Sequence, residues 1–172
     1  SGAADIGAVV EWVHEHIAEY GGSPSRIVLV GQSAGAMHVA DYVTGAAPYG
    51  AHGRGLAGAF LVSGLYDLGR VAENPNGLAY WGEHAGWAEK ATLAGIVASD
   101  LPLGFAVAEF DDLEFQSQAA QLVAAWTEAR GSYPAMHWLA GHNHLSPAYA
   151  IGSPVDALGP ALRAFVERVA AR

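Results

Sequence analysis

The sequence predicts an α/β fold in which about four parallel strands form a sheet with helices on both faces. Short apolar runs alternate along the chain with segments whose apolar residues recur at helical spacing. The apolar runs show no alternation of polar and apolar residues, so strands formed from them have no face suited to water. Strands of this kind are typical of a parallel sheet buried between two layers of helices.

Composition predicts one globular domain over residues 1–172, because 52% of the residues are hydrophobic and only 15% are charged. The net charge of −9, with scattered Lys and Arg, argues against a nucleic-acid partner or an anionic membrane surface. The apolar runs are also too short to cross a bilayer, so no membrane partner is expected. The sequence has no cysteine, which excludes a disulfide and a thiol nucleophile and leaves the compartment undecided.

The elements follow in order from the periodicity. An amphipathic helix is predicted over residues 5–20, and Gly21 and Gly22 end it. A strand is predicted over residues 27–30, and it leads into a helix that ends near residues 44–45. The remaining predictions are strands over residues 57–62, 103–109 and 135–139, helices over residues 115–130 and 155–171, a loop around residues 48–53, and an irregular stretch over residues 69–100.

The motif G-Q-S-A-G at residues 31–35 joins the first strand directly to a helix. So tight a turn strains its apex residue and pushes the Ser33 side chain beyond the carboxyl end of the sheet. We expect glycine at positions 31 and 35 because a side chain at either would collide with the returning helix. Ser33 is therefore a candidate nucleophile, with a plain turn serine as the alternative, and the N–H of Ala34 is a candidate oxyanion donor.

Carboxylates and histidines follow later strands. Asp111 and Asp112 come after the third strand, and His142 and His144 come after the fourth. Because the carboxyl ends of parallel strands share one rim, we expect these side chains to lie near Ser33. A serine nucleophile needs a histidine base, and the histidine needs a carboxylate. The acids could instead favour the start of the next helix, and the histidines could be solvated or cap the loop.

Residues 5–35 resemble the nucleophile region of the esterase and lipase branch of the α/β-hydrolase superfamily. Residues 108–111 with Phe115 and Gln118, and residues 141–144, are similar to the acid and histidine loops of its small carboxylesterase and arylformamidase-like members. The resemblance implies Ser33 as nucleophile, Asp111 as acid and His144 as base.

A longer amino-terminal part with a His-Gly-Gly loop normally precedes this region in that family, and the sequence has no His-Gly-Gly. We therefore interpret the chain as the C-terminal catalytic portion of an α/β-hydrolase. It is a fragment, a processed subunit whose partner carries the other half, or a trimmed homologue that obtains the remaining oxyanion donors differently. The strand at residues 27–30 would then lie at an exposed sheet edge, which favours pairing with another chain. The expected partner is a second copy, giving a homodimer, or a complementing N-terminal chain.

Gln32, Tyr80 and Trp81 are the expected substrate-binding residues, although an aromatic core is the alternative for the aromatic pair and for Trp87. His38, in the helix after Ser33, is expected to be a packing residue. No metal or other cofactor is expected, because the pairs of nearby metal-binding side chains lack a third ligand at suitable spacing. These pairs are His14 with His16, Glu83 with His84, and His142 with His144.

The leading functional hypothesis is a serine hydrolase that cleaves small carboxylic esters through an acyl-enzyme on Ser33. A second hypothesis is a non-catalytic α/β-hydrolase-like binding or assembly subunit that needs a partner chain. A flavodoxin-like nucleotide-binding domain fits the alternation of elements, but no phosphate-cradling glycine loop follows the first strand.

Overall fold

Four parallel strands form the sheet, in the spatial order β1-β2-β3-β4. They are β1 (Val28–Gln32), β2 (Gly58–Val62), β3 (Leu103–Phe110) and β4 (Met136–Asn143). This computed structural model of the protein describes residues 2–45 and 55–171, so the loop predicted around residues 48–53 lies outside the described residues. The sequence-based prediction of a parallel α/β sheet is confirmed.

Helices occupy both faces of this sheet, as predicted. They are α1 (Gly2–His16), α2 (Ala34–Thr44), α3 (Pro75–Trp81), α4 (Leu93–Ala98), α5 (Leu113–Arg130), α6 (Ser146–Tyr149) and α7 (Leu158–Ala170). A short 3-10 helix, Ile17–Tyr20, extends α1, and Gly21 ends it in the left-handed conformation that glycine adopts without strain. No helix in the described part of the chain is both long and apolar enough to span a membrane.

The core consists of two apolar layers separated by the sheet. Helices α1, α2, α4 and α5 pack on one face, where Leu61 and Phe105 meet Leu122. Helix α7 covers the other face, where Phe60 packs against Phe165. Because neighbouring residues of a strand point to opposite faces, Phe60 and Leu61 contribute to different layers.

The outer strands differ from the expectation that no strand has a face suited to water. Val30 in β1 is 50% exposed and Trp138 in β4 is 56% exposed, because each described outer strand has only one neighbour. Continuous burial therefore characterises β2 and most of β3. Strand β4 also continues to Asn143 instead of ending near residue 139, so His142 lies within a strand.

The stretch predicted to be irregular contains α3, α4 and three short 3-10 helices, Leu68–Arg70, His84–Gly86 and Ala88–Lys90. Its centre is Trp87, which is fully buried with Leu65, Leu68 and Val71. The Trp87 indole N–H donates to the Gly82 carbonyl at 2.9 Å. Trp87 thus belongs to the core and fixes the chain that carries Tyr80 and Trp81.

Candidate active site

Ser33 is the single residue between β1 and α2. Its backbone has φ 55° and ψ −122°, an unusual conformation for a residue with a side chain. Strain of this kind costs on the order of 1–3 kcal/mol and is concentrated at functional sites. The Ser33 N–H donates to the Val62 carbonyl at 2.9 Å, so the strained residue is tied to the neighbouring strand.

The two glycines beside Ser33 have different roles. A side chain at Gly31 would overlap the Gly35 carbonyl, so this position requires glycine, as expected. A Cβ at Gly35 would have no neighbouring atom within 4 Å. The expectation of a collision at position 35 is therefore wrong, because the Cβ direction there leads into open space.

The structure brings Ser33, His144 and Asp111 together in one hydrogen-bonded line. The His144 Nε2 atom lies 2.7 Å from the Ser33 Oγ atom, and the His144 Nδ1 atom lies 2.6 Å from the Asp111 Oδ1 atom. Because an ionised carboxylate only accepts, Nδ1–H donates to Asp111, and Nε2 is left to accept the Ser33 proton. The Asp111 side chain is fully buried, whereas that of His144 is 26% exposed.

Asp111 has two further donors. Its Oδ2 atom accepts hydrogen bonds from the Ser63 hydroxyl at 2.6 Å and from the Ala108 N–H at 2.8 Å. Asp112 follows at the start of α5, where its side chain makes no capping hydrogen bond. Of the two candidate acids, Asp111 is the one whose carboxylate contacts His144.

Ser63 was missed by sequence reasoning, although the dipeptide Ser63-Gly64 directly follows a strand. Ser63 is buried and has a φ of 49°, a left-handed value that side chains rarely adopt. Its N–H donates to the Ala106 carbonyl at 2.8 Å. The available signal was its position at a strand end, the same signal that identified Ser33.

Gln32 and Phe115 hold His144 in place. The Gln32 side-chain amide donates a short hydrogen bond to the His144 carbonyl, and the Phe115 ring lies 4.3 Å from the imidazole, tilted by 34°. Gln32 is not among the residues that border the cavity beside Ser33, and its contact with substrate stays a prediction.

His142 forms a separate set of contacts. Its Nε2–H donates to the Val155 carbonyl at 3.0 Å, which leaves Nδ1 to accept from the Ser146 hydroxyl at 3.0 Å. The ring is buried. His142 therefore secures the segment between β4 and α7, in keeping with the loop role considered for it.

A cavity of about 670 Å³ opens beside Ser33. Tyr80 and Trp81 lie in its wall, together with apolar side chains that include Met37, Leu65 and Phe115. Ala34 borders the cavity next to Ser33. Its N–H occupies the first helical position, where no acceptor exists within the helix.

Polar groups beside this cavity and in the core have identifiable partners or shifted pKa values. His38 is a hydrogen-bonding partner and not only a packing residue, because its Nδ1 atom lies 2.9 Å from the Tyr80 hydroxyl. Burial raises the pKa of Asp41 above its ordinary value, against the opposing effect of His38 and Lys90. Burial also raises the pKa of Tyr66, so its phenol stays protonated.

Among the described residues, no group of three or more metal-binding side chains could hold a metal ion.

Comparison with known proteins identifies a matching family model and solved structures with the same fold. The model of the carboxylesterase family matches residues 1–64. No curated protein sequence matches the chain. Among solved structures, the native esterase Est2 of Thermogutta terrifontis is 20% identical, with a TM-score of 0.67 over 98% of this chain. The same enzyme phosphorylated by paraoxon is also 20% identical, with a TM-score of 0.62 over 96% of this chain and 60% of that chain.

A truncated carbohydrate esterase from gut microbiota is 16% identical, with a TM-score of 0.78 over 99% of this chain and 68% of that chain. The chain spans 63% of the length of the native Thermogutta esterase. These likenesses establish the fold. The chain therefore has the α/β-hydrolase fold, and over residues 1–64 its sequence matches the carboxylesterase family, the esterase branch that its motifs resemble.

Proposed function

We propose that this chain is the catalytic portion of a serine esterase, which cleaves carboxylic esters through an acyl-enzyme on Ser33. The observation that carries the proposal is the line of two hydrogen bonds, 2.7 Å from Ser33 to His144 and 2.6 Å from His144 to Asp111. A nucleophile, a base and an orienting carboxylate within hydrogen-bonding distance are the parts that acyl transfer through serine requires.

In the proposed mechanism, the Ser33 oxygen attacks the ester carbonyl carbon while the His144 Nε2 atom takes the serine proton. The carbonyl oxygen becomes an oxyanion that accepts a hydrogen bond from the Ala34 N–H. A donor of this kind lowers the barrier by about 3 to 4 kcal/mol in comparable sites. His144 then gives its proton to the leaving alcohol, and the acyl group stays on Ser33.

The second half of the cycle uses water as the nucleophile. His144 takes a proton from water, the resulting hydroxide attacks the acyl-enzyme, and the returned proton restores the Ser33 hydroxyl as the acid leaves. Asp111 keeps the Nδ1 proton of His144 in place and stabilises the imidazolium in both halves.

The cavity beside Ser33 supports the proposal that the substrates are small to moderately sized apolar esters. The cavity of about 670 Å³ has apolar side chains such as Met37, Leu65 and Phe115 in its wall. A neutral substrate also suits a chain with a net charge of −9, because such a chain repels anions. The solved relatives that share the fold are esterases.

The edge of the sheet at β1 is the surface on which additional strands would pair. Strand β1 is an outer strand in the described residues, and Val30 on it is half exposed. We infer that additional strands pair with β1, supplied either by residues upstream in the same polypeptide or by a partner chain, which includes a second copy. Size-exclusion chromatography with light scattering checks this inference, since a dimer or a complex with an added N-terminal chain supports it.

The decisive experiment is labelling with a fluorophosphonate probe followed by mass spectrometry, on the chain together with any partner that it needs. We expect one adduct on Ser33 and hydrolysis of p-nitrophenyl acetate, both lost in Ser33→Ala. Ser25→Ala, which alters an exposed serine outside the site, serves as the matched control. Folded protein that takes up no probe would favour the non-catalytic binding or assembly subunit.

A further inference from the structure

A smaller pocket of about 220 Å³ adjoins the substrate cavity. The two spaces share one wall, and both are bordered by the same five side chains: Met37, His38, Leu65, Tyr80 and Trp81. Ser33 also borders the substrate cavity, but it does not border the smaller pocket, so the shared wall lies between the smaller pocket and the space that contains the nucleophile.

The two spaces differ in polarity. The substrate cavity is bordered mainly by apolar groups such as Phe115, with the Glu114 carboxylate also at its border, whereas the smaller pocket is bordered by the Asp41 carboxylate, the Lys90 ammonium and the Thr92 hydroxyl. An alkyl chain that passed from one space into the other would leave a mainly apolar wall and meet a larger share of charged groups. Such a chain gains little from burial there, because the charged groups must give up water.

A contact between two helices closes the shared wall. His38 lies on α2 and Tyr80 lies near the end of α3. The Tyr80 hydroxyl lies 2.9 Å from the His38 Nδ1 atom, and the two rings are 5.2 Å apart. The His38–Tyr80 contact therefore bridges the gap between α2 and α3.

Helix α3 is itself held from two sides. The Asn74 side chain accepts a hydrogen bond from the Gly77 N–H at 2.8 Å, which caps the start of the helix. At its end, the Trp81 ring lies 5.0 Å from the buried Trp87 ring. Both ends of the helix that presents the Tyr80 hydroxyl to His38 are therefore anchored by side-chain contacts.

We propose that the His38–Tyr80 pair closes the substrate cavity toward the polar pocket and sets the longest chain that the site accepts. This inference rests on the proposed function, and it adds a pair of specificity-determining residues to it. Each methylene that fits before the pair raises kcat/KM or affinity about fourfold through burial. Methylenes that would have to pass the pair add nothing or weaken binding.

The experiment measures kcat/KM for p-nitrophenyl esters from acetate to dodecanoate, and for alkyl acetates of the same lengths, since either side of the ester could occupy the cavity. Each profile is normalised to the acetate or methyl member for the same protein. We expect a length limit in the wild type in one series. Tyr80→Ala shifts that limit by two or more methylenes, and Tyr80→Phe shifts it less because the ring remains.

Three further variants test the contact itself. His38→Ala should lengthen the accepted chain, whereas His38→Gln keeps an acceptor for the Tyr80 hydroxyl and should preserve the limit. Tyr133→Ala removes an exposed tyrosine between α5 and β4 and is the matched control, with the wild-type profile expected.

A binding readout separates failure of this inference from failure of the proposed function. Calorimetry with unreactive p-nitrophenyl alkyl ethers gives dissociation constants without turnover, so the length limit is measurable even in a protein that hydrolyses no ester. A limit at the same length in the wild type and in Tyr80→Ala, by rates and by binding, would overturn the inference. So would a wild type whose affinity rises steadily with chain length.

Discussion

The Ser63 hydroxyl donates a 2.6 Å hydrogen bond to the Oδ2 atom of Asp111, while the Oδ1 atom of the same carboxylate faces His144. Together with the Ala108 N–H, Ser63 satisfies the side of the carboxylate that points away from the histidine. A buried carboxylate is costly without such donors, and with them its orientation is fixed. Ser63 thus positions the acid without touching the reacting atoms.

Replacing Ser63 tests this positioning role. We expect Ser63→Ala to lower kcat/KM by about 10 to 100-fold, the equivalent of a hydrogen bond to a charged group. Ser63→Gly should lose the same activity but unfold at a higher temperature than Ser63→Ala, because glycine accepts the left-handed backbone at φ 49°. The measurements are ester hydrolysis and thermal unfolding, and full activity in Ser63→Ala would contradict the role.

The neighbouring acids give a matched comparison. Asp111→Asn keeps the shape of the side chain but no longer favours the Nδ1–H tautomer of His144, and we expect kcat to fall by about 10⁴-fold, as for the equivalent change in serine proteases. Asp112→Asn should retain most activity, because the Asp112 side chain makes no capping hydrogen bond. Steady-state kinetics of the two variants give the comparison. An inactive Asp112→Asn with an active Asp111→Asn would make Asp112 the acid that orients His144.

The two glycines of the strand-to-helix turn should respond in opposite ways to alanine. Gly31→Ala forces a Cβ against the Gly35 carbonyl, and we expect a loss of several kcal/mol, comparable with overpacking of a core. Gly35→Ala fills open space within α2 and should leave the unfolding temperature equal or higher, because alanine favours a helix. Denaturant unfolding of both variants is the check, and equal losses would contradict the difference.

Asp156 gives a prediction for the pH dependence of stability. The Gly152 and Gly159 N–H groups donate to its carboxylate at 2.8 Å and 2.6 Å, and these bonds hold the pKa of Asp156 below its ordinary value. A depressed carboxylate pKa contributes stability above the unfolded value of about 4, and the contribution disappears as the pH falls through the lower folded value. Asp156→Ala should therefore unfold at a lower temperature at neutral pH.

The difference in melting temperature between the wild type and Asp156→Ala should begin to narrow as the pH falls below about 4 and should disappear below the lower folded pKa of Asp156, where neither protein carries the carboxylate charge. Asp156→Asn retains one acceptor oxygen and should lie between them. Thermal unfolding from pH 3 to pH 8 gives the comparison. A gap that does not depend on pH would show that the side chain acts through packing alone.

The parts of the site that sequence could predict are those that depend only on position along the chain. Ser33, Asp111 and His144 each follow a strand, and parallel strands place such residues on one rim. Ser63 follows a strand too, but its bond to Asp111 depends on β2 lying beside β3. The order of strands across a sheet is not visible in periodicity, so that contact was missed.

Other differences arise from local geometry. The expected collision at Gly35 was wrong because the direction of a missing Cβ depends on backbone angles that residue types do not fix. The extension of β4 to Asn143 accompanies an irregularity in its pairing with β3 between Ala108 and Phe110. The His38–Tyr80 contact depends on how the short helix α3 packs against Trp87. Neither helix propensity nor residue spacing predicts that packing.

The hydrogen bonds between neighbouring strands continue past the strand ends into two residues of the proposed active site. The Ser33 N–H bonds to Val62 in β2, and the Ser63 N–H bonds to Ala106 in β3. The spacing between Ser33 and Ser63 is therefore set by strand register, not by loop length. Insertions in loops leave it intact, whereas one residue inserted within β2 would turn the Ser63 hydroxyl to the opposite face. A lineage of such proteins would be free to vary its connections while the length of β2 stays constant.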